Sequence, residues 1–256
     1  MISQNISYAA DSPVKNLLDV IYDKDKKGLP VIFFVHGGSW MSGSKDMYTR
    51  LGENFLEKGM VSVIISYRLF PDTDVFGMVE DSRAALKWCI EHISEFGGDK
   101  NKIYLMGHSA GGHLAAVAGL SEKEPQKHIA GFIMVDAFGL SAHHFLSEYS
   151  MMMPEFFANV FGKQKEKWYL VSPDKLIRKD LPPFLILTGG STYPFLVFDN
   201  KNFAGLLGSL NVSCKHITLP YLSHMQMIFQ FENKRSEIYD VILKWMKTES
   251  LPVNYK

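Results

Sequence analysis

Two stretches of this 256-residue chain carry residues whose types and spacing suit covalent catalysis. In the first, Gly107-His108-Ser109-Ala110-Gly111, a serine sits midway between two glycines. The pattern alone is weak, because Gly and Ser are common residues. Its setting is stronger: the apolar run KIYLMG (102–107) leads into it and an Ala-rich helical pattern follows at once. A strand that turns sharply into a helix needs small flanking residues. Such a nucleophile elbow lifts the hydroxyl above the sheet and aims helix N–H dipoles at a developing anion. Ser109 is therefore the candidate nucleophile. The second stretch, His36-Gly37-Gly38-Ser39-Trp40, closes the run VIFFV (31–35). Two glycines let the backbone turn its N–H groups inward, so Gly38 and Ser39, with Ala110, make a candidate oxyanion hole.

A serine nucleophile needs a base, and the chain has nine histidines. For an elbow of this kind the chain order is Ser, acid, His, which places the base after Ser109. His36 precedes it and reads as structural. His216 lies inside an expected strand, and the adjacent His143 and His144 lie in a helical insertion. His224, in LPYLSHMQM, falls in the loop after the last strand and before the last helix, and it is the candidate base. Neither HExxH nor CxxC spacing occurs, so no metal site is expected.

These residues need a frame. Six short, β-branched or aromatic runs recur: 31–35, 61–66, 102–107, 129–135, 183–188 and 215–219. Patterns of helical length occupy 76–95, 109–120, 199–210 and 232–248. Such alternation predicts an α/β fold, a mostly parallel sheet with helices on both faces. An N-terminal hairpin, ISYAA with KNLLDVIYD, precedes it. Residues 140–172, with Met151, Met152, Met153 and Pro154, break the rhythm and read as a short helical cap inserted into one domain spanning 1–256. Lys+Arg and Asp+Glu are both 27, so nothing favours nucleic acid or an anionic membrane as partner. The absence of a signal-like N-terminus or a long apolar run makes a cytoplasmic setting the expectation. Cys89 and Cys214 lie in apolar-periodic stretches and read as buried free thiols.

The sequence resembles the α/β-hydrolases of the hormone-sensitive-lipase-like, acetylxylan/feruloyl-esterase-like and kynurenine-formamidase-like group. HGGSW, SYRLFP (66–71), the Glu80-Asp81 helix, FGGDKNKIYLMGHSAGGHLA and SPDKLIRKDLPPFLILTGG carry the resemblance over about residues 7–245. It implies a cofactor-free serine carboxylic-ester hydrolase of a small-molecule, short-chain acyl or acetyl ester; formamide or amide hydrolysis, or a catalytically weak binding module, are alternatives. Asp99 matches a loop position that is structural in such proteins.

The family pattern implies an acid near Thr192, where this chain has none. Three readings follow. Asp136, directly after the run IAGFIMV, can supply the carboxylate from the neighbouring strand, as in pancreatic-type lipases; this is the preferred reading. Thr192 or a backbone carbonyl can hold His224 in a dyad. Asp199 can serve, although it precedes a helical pattern and reads as its N-cap. Trp40, Tyr193, Phe195 and the Met151–Met153 cluster suggest a narrow apolar acyl pocket.

Overall fold

The computed structural model describes residues 1–9, 15–121, 127–148 and 154–249. Met151–Met153 lie outside them. Eight strands form one sheet: β1 (Ile2–Ser7), β2 (Leu17–Ile21), β3 (Leu29–Val35), β4 (Val61–Ile65), β5 (Gly98–His108), β6 (Ile129–Val135), β7 (Phe184–Gly189) and β8 (Cys214–Leu219), in the order β1-β2-β4-β3-β5-β6-β7-β8. β1, β2 and β4 pair antiparallel, and β4, β3, β5, β6, β7 and β8 run parallel. The six apolar runs and an N-terminal hairpin thus become one mostly parallel sheet, the expected α/β-hydrolase architecture, although the first arm of the hairpin is Ile2–Ser7 rather than ISYAA.

Central parallel strands covered on both faces bury most of their side chains, and alternate residues enter opposite cores. On one face, Val31, Phe33, Val35, Leu105, Phe132 and Met134 pack beneath helices α2 (Val75–His92), α3 (Ala110–Leu120) and α7 (Pro194–Ser209). On the other, Ile32, Phe34, Met106, Ile133 and Leu187 meet α1 (Thr49–Glu57), α8 (His224–Phe229) and α9 (Glu237–Glu249). Between β6 and β7 the chain makes α4 (Ala142–Glu148), α5 (Pro154–Phe161), a 3-10 stretch at Lys165–Val171 and the short α6 (Pro173–Leu176). Among the described residues, no helix is long and apolar enough to cross a membrane.

Several local expectations change. β5 begins at Gly98, four residues before the apolar run, because its polar lead-in still pairs with Leu29. The helix expected to start at Asp199 starts at Pro194, where the fixed φ of proline suits a first helical position. Asp199 is therefore no N-cap: it lies inside α7, 9% exposed, and accepts a bond from the Ser141 N–H at 3.3 Å. Cys89 and Cys214 are both free, but Cys214, on edge strand β8, is only partly buried. Asp99, expected in a loop, lies instead in the polar lead-in of β5, where it accepts from the Asn101 N–H at 3.0 Å and pairs with Lys102 at 3.1 Å, a structural arrangement.

Candidate active site

The elbow's glycines are demanded by close approach. A Cβ on Gly107 would lie 2.3 Å from the Gly111 carbonyl oxygen, and one on Gly111 would lie 2.1 Å from that of Val35. Helix α3 thus starts directly against β3 and β5, with no room for a methyl group. Ser109 takes up the turn with φ 54° and ψ −127°, a conformation disfavoured for any side-chain-bearing residue. Its carbonyl is held by the N–H groups of Gly112 (3.0 Å) and Phe138 (3.1 Å), its own N–H by the Val135 carbonyl (3.2 Å).

Sheet register decides what faces it. His108 pairs with Val135, and Val135 with Leu187, so the residues after β5 and β6 emerge side by side. Asp136 leaves β6 with φ 44° and donates its N–H to the Leu187 carbonyl at 2.7 Å. His224 arrives from beyond β8. It is the first residue of α8, where Ser223 and Gln226 form a reciprocal capping box that fixes the helix start. His224 Nε2 lies 2.9 Å from Ser109 Oγ, and Nδ1 lies 2.7 Å from Asp136 Oδ2. Ser109 is 7% exposed and Asp136 fully buried. Acceptance by Asp136 fixes the proton on Nδ1 and leaves Nε2 as the acceptor for the serine hydroxyl.

Gly37 and Gly38 bring the HGGSW loop beside the serine. A Cβ on Gly37 would sit 3.2 Å from Ser109 Cβ, and one on Gly38 2.0 Å from the Ser42 carbonyl oxygen. Gly38, Ser39 and Trp40 all have positive φ. The Gly38 carbonyl accepts the N–H groups of Met41 and Ser42, both at 3.0 Å. The N–H groups of Gly38, Ser39 and Ala110 meet no acceptor among the described residues. His36 is buried, donates from Nδ1 to the Gly37 carbonyl at 2.7 Å and stacks on Tyr67 at 4.4 Å. Burial pushes its imidazole down to about 4, in keeping with a structural role.

Other expected residues lie elsewhere. His216 meets Thr188 Oγ1 at 2.9 Å on β7, and Asp199 is engaged with Ser141. Thr192 does not hold His224; its hydroxyl donates to Asp136 Oδ2 at 2.5 Å, while the Gly189 N–H donates to Oδ1 at 3.0 Å. Trp40, Phe138, Phe195 and Tyr193 form a continuous aromatic wall, with successive ring centroids 5.4, 5.1 and 5.5 Å apart, and Tyr193 lies 5.5 Å from the His224 ring.

Three further contacts escape sequence reasoning. His108 donates from Nε2 to the His224 carbonyl at 3.1 Å, its ring 4.7 Å from that of His224; burial, then proximity to His224, holds it down to about 3. His113 joins Trp40 Nε1 (3.3 Å) to the Val171 carbonyl (2.6 Å), tying the HGGSW loop to the segment between β6 and β7. Phe138 is anchored to the elbow by its own N–H. The visible signal for the histidines is their place in GHSAGGH, but partners that distant in sequence leave no local pattern.

A buried carboxylate, an imidazole and a serine hydroxyl in line, at the strand ends of a mostly parallel sheet, define an α/β-hydrolase with a Ser–His–Asp arrangement. Known structures agree on the fold: esterase B from Lactobacillus rhamnosis superposes with a TM-score of 0.82 at 20% identity, over 98% of this chain and 86% of its own. The BD-FAE family matches residues 18–193, and the chain belongs to that family. It is 28% identical to isoprenylcysteine alpha-carbonyl methylesterase ICME of Arabidopsis thaliana, over 97% of this chain and 62% of that protein. It is 30% identical to esterase LipC of Mycobacterium tuberculosis, over 84% of this chain and 57% of that one. The chain thus spans about three-fifths of the length of these two relatives.

Proposed function

We propose that the protein is a serine carboxylic-ester hydrolase. The observation that carries this reading is the continuous chain from Ser109 Oγ through His224 to Asp136. Ser109 attacks the acyl carbon while His224 Nε2 takes its proton. Asp136 stabilises the imidazolium that forms. The N–H groups of Gly38, Ser39 and Ala110 receive the oxyanion. Their preorganisation matters because each such donor is worth about a hundredfold or more in rate. His224 then protonates the departing alkoxide. It next activates water, which attacks the acyl-serine; collapse frees the acid and returns the proton to Ser109.

The aromatic wall of Trp40, Phe138, Phe195 and Tyr193, which ends against His224, supports an apolar, short-chain acyl group. The free thiols of Cys89 and Cys214 are compatible with a reducing, cytoplasmic setting. The test is hydrolysis of aryl esters of graded acyl length, with N-formylkynurenine alongside. Activity on acetyl and butyryl esters is expected, falling with chain length, and Ser109→Ala is expected to retain its fold and lose turnover and fluorophosphonate labelling. Full activity of Ser109→Ala would overturn the mechanism, and preferential cleavage of the formamide would overturn the ester assignment.

A further inference from the structure

Thr192 stands where the resemblance implies a carboxylate, and its hydroxyl is aimed at the carboxylate that the chain does have. Asp136 Oδ2 accepts two hydrogen bonds, from His224 Nδ1 at 2.7 Å and from Thr192 Oγ1 at 2.5 Å, while Oδ1 accepts the Gly189 N–H. Asp136 is fully buried, so no water competes for these lone pairs. We propose that Thr192 is a positioning residue for the hydrolytic reaction: its hydroxyl locks the plane of the Asp136 carboxylate and tempers the pull of Oδ2 on the base. The proposal rests on the esterase reading above.

The hydroxyl acts on the Asp136 carboxylate in two ways. Two donors fixed to the β7 end, one on each oxygen, orient the carboxylate independently of His224. Without the hydroxyl, the Gly189 N–H would be the one donor besides His224 itself that restrains rotation about the Cβ–Cγ bond. Secondly, a hydrogen bond donated to a carboxylate oxygen draws charge from it. Oδ2 is the very atom that stabilises the His224 imidazolium, so removing the second donor concentrates charge on the remaining bond and favours the protonated imidazole. The titratable groups facing His224 are Asp136 from the end of β6, His108 from the end of β5 and Tyr193 from the turn after β7. Among these, the Thr192 hydroxyl contacts Asp136.

Thr192 lies in a partly exposed turn, so Thr192→Val removes the donor at nearly constant volume. With an aryl acetate as substrate, Thr192→Val is expected to lower kcat several-fold with KM little changed. The acidic limb of its kcat/KM profile is expected to move to higher pH, raising the ratio of kcat/KM at pH 8 to that at pH 6 about threefold. Thr192→Ser, which keeps the hydroxyl, is expected to restore the wild-type profile. An unmoved acidic limb in Thr192→Val overturns the proposal whatever happens to turnover, and so does a Thr192→Ser profile displaced as far as that of Val. Should Thr192→Val not fold, Thr192→Ala carries the same test. Wild-type turnover abolished by Ser109→Ala, beside an unmoved Thr192→Val limb, would sink this inference and leave the esterase reading intact.

Discussion

Two buried aspartates sit near the same end of the sheet, and their neighbours give them opposite parts. Asp136 accepts three hydrogen bonds and faces His224. Asp199 accepts from the Ser141 N–H; burial first, and Asp174 nearby, push its carboxyl up to about 6. Asp136→Asn is expected to lower kcat by about 10²–10⁴-fold, since the equivalent change in a serine-protease triad costs about ten-thousandfold. Thermal stability should change far less than turnover, and normal kcat in that variant would remove Asp136 from the reaction. Asp199→Asn keeps an acceptor for Ser141 and sheds a buried charge. At pH 7.5 it is expected to stabilise the protein, on the order of 2 kcal/mol, with kcat unchanged. Below pH 4 the gain should vanish. Denaturant midpoints at the two pH values check it.

At the scale of elements, the seam between α3 and β3 sets the site. The helix comes so close that the Val35 and His36 carbonyl oxygens would lie 2.1 and 2.4 Å from a Cβ on Gly111. Both obstacles are backbone atoms of a central strand and the residue after it, which cannot swing aside. Gly111→Ala is therefore expected to cost about 1–3 kcal/mol or more and to displace Ser109 from His224, lowering kcat together with stability. A Cβ on Gly205, in the exposed part of α7, would meet nothing within 4 Å. Gly205→Ala is expected to stabilise by up to about 1 kcal/mol through helix propensity alone. Equal urea midpoints for the two variants would refute the close-approach account.

Across the whole molecule, buried titratable groups set the response to acid. Burial holds His36 and His113 down to about 4 and His108 to about 3. Each is neutral in the fold and free to protonate when unfolded. Their contribution is present above pH 6.5 and is lost as pH falls through about 4 for the first two and about 3 for the third. Asp199 acts in the other sense, because its raised carboxyl takes up a proton near pH 6 in the fold and only near 3.8 when unfolded. Three histidines outweigh one aspartate, so the thermal midpoint is expected to fall between pH 6.5 and 4.5. Asp199→Asn should steepen that fall. A flat or rising midpoint across this window would contradict the neutral state of the three imidazoles.

The sequence by itself determined what short-range pattern can carry. Apolar runs bounded by helical periodicity marked the parallel sheet, and Gly-x-Ser-x-Gly after a strand marked the elbow, because close packing there excludes any side chain. Ser109, His224 and Asp136 were legible as types at strand ends. What no local pattern contained was their convergence. His224 meets Asp136 across 88 residues and Ser109 across 115, through a register that sets Val135 beside both His108 and Leu187. The same register placed the Thr192 hydroxyl on Asp136 and His108 against the His224 carbonyl. Local pattern puts the start of α7 at Asp199, because a capping side chain and a buried carboxylate look alike in sequence. Pro194 at the helix start and the Ser141 N–H, 58 residues away, distinguish them only in the folded chain.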